Sequence, residues 1–442
     1  MTTEYLNSKI IYTNLKYIGI NLVDSYKASA KLLELELAKD FGDFKSISII
    51  CGLGGNSGDG IALALQLLGK NILIKVYLIG RANYITDPAT KELWEELYNK
   101  DIENLELKQD AYAQDIDQSD LNIECLAGTG FQGDKLNKRF ADVIKRISHF
   151  TKPLIAMDVP VPSYTPDKIY SFIYPKTKDA VVIPVNLPTD ANLMCGPGEV
   201  QALLPAKLKT HKSKNGKLLI IQDDEVNSEI ILKTAKEYAT EVEFYNINSS
   251  SINEDNKLES VIDEFDVILF KDIERNNIKT KALVNYIIST FSKKKFILSG
   301  KTLELINKEN LNSLENILLI PDRTSIDSLL DEKVNISNVE GVLKRYSKRH
   351  SLNIIMLGST TLLFNADGEF KLDKNNIAYI PSLRDVLITL IAAFYTNNDI
   401  WLSMRAATFL INRLLIIQLQ NKEEILKLIK KISEIIEICK AM

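Results

Sequence analysis

The chain has 442 residues, 45% of them hydrophobic and 25% charged. That is too long for one core and predicts two domains or three in an ordinary soluble protein. A formal charge of -4 argues against non-specific nucleic-acid binding, and no apolar run of membrane-spanning length is expected, Ile72 to Gly80 being interrupted by Lys75. The first residues, Met1-Thr2-Thr3-Glu4-Tyr5, have neither a basic n-region nor an Arg-rich transit character. Cys51, Cys125, Cys195 and Cys439 form no Cys-x-x-Cys pair. The expectation is a cytoplasmic, reduced protein in which Cys51 and Cys125 are small core thiols.

Residues 20 to 42 read as an amphipathic helix carrying Ala28, Leu32, Leu33, Leu35 and Leu37, closed by Gly42. Ser46 to Cys51 reads as a buried strand, Gly52 to Gly60 as a glycine-dense turn, and Ile61 to Leu68 as a helix. Further strands are expected at 72–80, 121–126, 153–159 and 180–185, with helices at 91–100 and 135–150. This alternation means a doubly wound parallel α/β sheet that binds ligands at the carboxyl ends of its strands. Leu193 to Gly216 reads as a junction, ending in the basic run Lys207, Lys209, His211, Lys212 and Lys214. A second α/β pattern follows, with strands at 217–221, 266–270, 295–299, 317–320 and 354–364. Helices are expected at 385–395, 401–415 and 423–440. His149, His211 and His350 have no neighbours at metal-ligand spacing, so none is assigned to zinc.

The turn Gly52-Leu53-Gly54-Gly55-Asn56-Ser57-Gly58-Asp59-Gly60 is the most informative stretch. Its glycines permit positive φ and close backbone approach, and free N–H groups at a helix start attract a phosphate. It ends without the Lys-Ser/Thr of a P-loop, and Ser57 stands where a Rossmann fingerprint needs its third glycine. Asp59 either N-caps the following helix or marks a polar substrate or cation site beside a phosphate cradle.

This turn resembles the Gly-x-Gly-Asn-Asn-Gly-Gly-Asp-Gly signature of the NAD(P)H-hydrate epimerases. Glu124-Cys125-Leu126-Ala127-Gly128-Thr129-Gly130 is similar to that family's Asp-Ala-Leu-Phe-Gly-Thr-Gly, and Ile155-Ala156-Met157-Asp158-Val159-Pro160 to its strand ending in Asp-Ile-Pro-Ser-Gly. The resemblance continues into the ADP/ATP-dependent NAD(P)H-hydrate dehydratases, so the whole chain resembles a bifunctional NAD(P)H-hydrate repair enzyme. It implies a Rossmann-like three-layer α/β/α domain over 1–205 and a ribokinase-like α/β domain over 206–442. The substrate implied is a dinucleotide, hydrated NADH or NADPH with a hydroxyl at C6 of the nicotinamide ring. Gly55, Asn56, Ser57, Gly58, Asp59, Gly128, Thr129 and Gly130 would hold it.

Asn56 and Glu124 would ligate a potassium ion, the Glu replacing the family's Asp. That cation site is weakened, because Val161 stands where the family places a Ser ligand and Gly55 and Ser57 also depart from the signature. Asp158, at a strand end, would be the general acid and base, or it only shapes the pocket. In the second half the dehydratase's Gly-Thr-Gly-Asp corresponds to Ser382-Leu383-Arg384-Asp385. The base Asp385 is kept as a vestige, but both glycines are lost, and Arg384 could contact an anion instead. Gln222-Asp223-Asp224, Lys271-Asp272-Ile273, Ile320-Pro321-Asp322 and Leu357-Gly358-Ser359-Thr360 also depart from the family pattern. The expectation is an R/S hydrate epimerase followed by an inactive dehydratase fold that needs neither ADP nor ATP. It would form a homo-oligomer and have no nucleic-acid or membrane partner. The alternatives are a pseudoenzyme with a binding or structural role, and an active dehydratase.

Overall fold

The computed structural model describes residues 3–128, 138–161, 163–185, 188, 193–203, 216–223, 228–247, 255–274, 276–311, 314, 316–330, 333–335, 337–373, 380–421 and 424–442. The chain divides into two compact units, Met1–Pro188 and Thr189–Met442. The division falls before the expected boundary at 205. The short helix Pro197–Ala202 belongs to the second unit, where Val200 joins the core and the Gln201 side chain donates to the Cys439 carbonyl at 2.7 Å. The basic run from Lys207 to Lys214 lies outside the described residues.

The first unit is built on seven parallel strands: β1 (Ser46–Cys51), β2 (Leu73–Leu78), β3 (Leu105–Lys108), β4 (Leu121–Cys125), β5 (Leu154–Met157), β6 (Lys168–Phe172) and β7 (Val181–Ile183). Their order is β3-β2-β1-β4-β5-β6-β7, the doubly wound arrangement with one added strand. The strands β1, β4 and β5 are buried along nearly their whole length, which is why they read as continuous apolar runs. Strand order reverses between β1 and β4, whose ends pair Cys51 with Cys125. The two motif loops therefore leave the sheet side by side at the topological switch point, where such sheets bind ligands.

Among the described residues, five helices accompany this sheet: α1 (Thr3–Tyr17), α2 (Leu22–Phe41), α3 (Asn56–Leu67), α4 (Pro88–Tyr98) and α5 (Lys138–Ile147). Gly42 closes α2 at φ 66°, the left-handed conformation that favours glycine. Leu35 is exposed and Tyr26 buried, so the buried face of α2 is rotated from the one expected. α1 and β6 were not expected. α1 buries only Ile10, Ile11, Asn14 and Leu15 among its described side chains, a thin stripe. β6 follows β5 with no helix among the described residues between them, so the usual strand–helix–strand rhythm is missing.

The second unit has eight strands: β8 (Lys217–Gln222), β9 (Glu241–Asn246), β10 (Val267–Phe270), β11 (Lys295–Ser299), β12 (Ile317–Ile320), β13 (Asn353–Met356), β14 (Thr361–Phe364) and β15 (Phe370–Asp373). Their order is β15-β14-β13-β12-β11-β10-β8-β9, and only β14 runs antiparallel to its neighbours. This is the second α/β domain expected, built on a mostly parallel sheet. The stretch 354–364, read as one strand, is a hairpin with its turn at Leu357–Thr360. The helix Pro381–Tyr395 is buried along almost all of its length. The helix Ile400–Asn421 contains a span, Ile400–Leu419, long and apolar enough to cross a membrane, with mean hydropathy 1.5. That corrects the reading that no such run exists, but 72% of the span is buried inside the unit, as a core helix would be.

Asp373 ends β15, buried, with one carboxylate oxygen lacking a hydrogen-bond partner. Burial, then the Glu199 charge, pushes its pKa up to about 7. The folded state thus holds this proton more tightly than the unfolded chain does. Its contribution falls as pH rises from about 4 to about 7, by roughly 4 kcal/mol at most. Asp373→Asn should therefore stabilise the protein above pH 7, and the gain should vanish near pH 4. Urea midpoints measured across that range check this.

Candidate functional site

The glycine turn is shorter than expected, because α3 begins at Asn56 and not at Ile61. Asn56, Ser57, Gly58, Asp59 and Gly60 are its first residues, and all are buried. None of Gly52, Gly54, Gly55, Gly58 and Gly60 has a positive φ. Three of them are there for close packing. A Cβ on Gly60 would sit 2.7 Å from the Cys125 sulfur, one on Gly58 2.8 Å from the Tyr26 ring, and one on Gly52 2.8 Å from the Leu126 carbonyl oxygen. Contacts that short force the neighbour to move. The Ser57 and Gly58 N–H groups donate to the Gly54 and Gly55 carbonyls at 3.2 and 2.8 Å, so those two amides are not free for a phosphate.

Gly128 lies against α3, where a Cβ would meet the Asn56 Cβ at 2.7 Å. Thr129 and Gly130 lie outside the described residues. Gly55 is the N-cap of α3 and no side chain caps that end, which removes the capping role for Asp59. Asp59 is buried, and its Oδ1 has no hydrogen-bond partner. Its pKa is raised well above the usual carboxylate range by burial first and by the Asp158 charge second. Burial thus favours the protonated form of Asp59, the form with a proton to give.

Asp158 follows β5 at φ 64°, a left-handed position that Asp tolerates. Its backbone N–H donates to the Tyr170 carbonyl of β6 at 2.7 Å. Its Oδ1 lies 2.5 Å from the Lys176 Nζ, with the two side chains only 7% and 0% exposed. Sequence reasoning missed Lys176: it lies beyond β6 in Tyr174-Pro175-Lys176, and only the β5–β6 pairing brings it near Asp158. Tyr12 of α1 and Tyr26 of α2 complete the cluster. Their hydroxyl pKa values are pushed up by burial and by the charges of Asp59 and neighbouring aspartates. Asp87, the N-cap of α4, accepts from the Thr90 N–H and hydroxyl. A buried acid beside an ion-paired carboxylate can give a proton and take one, as acid–base catalysis requires.

A second polar group surrounds Glu124 on β4. Its Oε1 accepts from the Leu126 and Ala127 N–H groups at 2.5 and 3.3 Å. Its Oε2 accepts from the Tyr164 hydroxyl at 2.7 Å and the Val161 N–H at 3.4 Å. Burial raises its pKa to about 7 against these lowering bonds. The Asn56 side-chain nitrogen donates to the Ala127 and Met157 carbonyls at 2.5 and 3.1 Å. Only the buried Asn56 Oδ1 is left without a partner. A hard cation needs several free oxygens. Here the carboxylate is saturated, two carbonyls face an amide donor, and Val161 offers no side-chain oxygen, so these residues do not fit a potassium ion.

In the second unit, Asp385 lies 3.3 Å from the Lys271 Nζ. The Arg384 guanidinium forks onto both oxygens of Asp272 at 2.7 and 3.0 Å. Although burial opposes it, Arg384 holds the Asp272 pKa below the usual carboxylate range. A Cβ on Gly300 would fall 2.0 Å from an Asp272 oxygen, so the pair is packed against backbone. Leu383 is wholly buried, and the Leu383 and Arg384 N–H groups donate to the Ile380 carbonyl. Asp322 is turned onto the N–H groups of Thr324 and Ser325. Asp223 receives the Glu274 N–H, while Asp224 lies outside the described residues. Arg384, read as a candidate anion contact, is already paired.

Residues 27–166 match the family model described as YjeF-related protein N-terminus. The chain is 25% identical to the bifunctional NAD(P)H-hydrate repair enzyme Nnr of Methanocaldococcus jannaschii, covering 91% of this chain and 86% of that one. It is 22% identical to the enzyme of the same name from Hyperthermus butylicus, covering 81% and 77%. A stretch covering 26% of this chain is 32% identical to 43% of the NAD(P)H-hydrate epimerase of Legionella pneumophila strain Paris. The likeness read from three motifs thus extends over most of the chain.

Proposed function

We propose that the first unit of this relative of the NAD(P)H-hydrate repair enzymes is an epimerase interconverting the R and S hydrates of NADH and NADPH. The observation that carries the reading is the buried pair Asp59 and Asp158, with Lys176, at the switch point of the sheet. In the hydrate, C6 bears a hydroxyl and is bonded to the ring nitrogen. Protonation of the hydroxyl by Asp59 lets the C6–O bond break and water leave, the nitrogen lone pair supplying the electrons. Water then adds to the opposite face, and Asp158, held by Lys176, takes its proton. Transfer of that proton back to Asp59 completes the cycle, and the reverse reaction exchanges donor and acceptor roles. Gly55, Asn56 and the segment Gly128 to Gly130 would hold the dinucleotide, the Ser57 and Gly58 amides being already paired. A single isolated epimer, followed by chromatography, tests the reading. R/S equilibration faster than the protein-free rate, and saturating with substrate, supports it. A rate equal to the control points to the pseudoenzyme.

We further propose that the second unit does not dehydrate the hydrate. Asp385 is paired with Lys271, Arg384 with Asp272, and Ser382 and Arg384 replace the two glycines of the anion-binding turn. Backbone amides behind Leu383 and Arg384 are a poor match for a phosphate.

A further inference from the structure

We propose that the site in the first unit works without a monovalent cation, because hydrogen-bond donors of the chain take the ion's place. The inference rests on the epimerase reading for its activity arm, while its binding arm stands apart from it. A carboxylate offers about four acceptor positions, and Glu124 has four donors: the N–H groups of Leu126, Ala127 and Val161 and the Tyr164 hydroxyl. The Asn56 amide nitrogen meets the Ala127 and Met157 carbonyls, which in a cation site would face the metal. Each of these donors brings the positive end of a dipole to a buried oxygen. Together they do electrostatically what a bound cation would do, with no ion to desolvate. The loss of an oxygen at Val161 and the added methylene of Glu124 are then matched changes. The longer side chain carries its carboxylate to the backbone amides and to Tyr164.

The test compares potassium chloride with tetramethylammonium chloride at equal ionic strength, the second cation being too large for such a site. An ion present at about 100 times its dissociation constant would raise Tm by roughly 5–10 °C. The expected result is the same Tm in both salts and R/S equilibration rates within about twofold, a difference too small to imply a lost ligand. A potassium-specific rise of that size overturns the inference, whether or not the protein turns over. So does a loss of rate of tenfold or more in tetramethylammonium. If neither salt supports turnover, the epimerase reading fails, and the Tm comparison alone decides the question of the ion.

Discussion

Asp158→Asn should slow R/S equilibration by about 10²–10⁴-fold, the usual worth of a positioned acid–base group. Asparagine keeps the shape of the side chain and tolerates φ 64°, so the loop conformation should survive. It cannot take a proton from the attacking water. The substitution also leaves the buried Lys176 ammonium without its partner, so rates belong well below the variant's Tm. A KM little changed beside a collapsed kcat would place the loss in the chemical step. A variant retaining wild-type kcat would remove Asp158 from the chemistry.

Lys176→Met is expected to be the most destabilising single change in this site, at about 3–5 kcal/mol, because it strands a buried carboxylate. Asp158 lies beside Asp59, also buried, so removing the only lysine paired with it among the described residues leaves like groups facing each other. The double variant Lys176→Met/Asp158→Asn should recover much of that stability and none of the activity. Urea denaturation of the two single variants and the double variant measures the coupling directly. Additive losses would mean that the ion pair contributes nothing specific.

Much of this molecule was legible because it follows simple periodicities. The apolar runs at Ser46–Cys51, Leu121–Cys125 and Lys217–Gln222 are strands buried on both faces, and such runs announce a parallel sheet. The two motif loops could be placed at strand ends because strand and helix alternate so regularly. β6 was hidden because no helix among the described residues separates it from β5, and the β13–β14 hairpin by an apolar stretch broken only by Gly358-Ser359-Thr360. The start of α3 was misread because Asn, Ser, Gly and Asp are turn formers in isolation. Here packing of Gly58 on Tyr26 and Gly60 on Cys125 overrides that preference.

The site was half legible for a related reason. Asn56, Asp59, Glu124, Gly128 and Asp158 lie in recognisable motifs, and the fold brings them into two adjoining polar groups. Lys176, Tyr164, Tyr12 and Tyr26 carry no local signature. Tyr12 and Tyr26 come from helices that precede the sheet, and Lys176 from the turn after β6. A titratable group finds its partner across strands, and one sequence does not reveal which lysine ends beside which aspartate. The second unit shows the converse. The lost glycines were plain in Ser382-Leu383-Arg384-Asp385, but nothing in that run said that Asp272 would receive the arginine.

The measurement that tests this division of labour most directly uses the 442-residue chain, one purified NADH-hydrate epimer, and ATP or ADP with magnesium. The R/S ratio and NADH formation are followed in the same vessel. The expected result is rapid R/S equilibration, no NADH above the protein-free control, and no dependence on either nucleotide. Nucleotide-dependent formation of NADH, or an R/S ratio that moves no faster than the control, would contradict it.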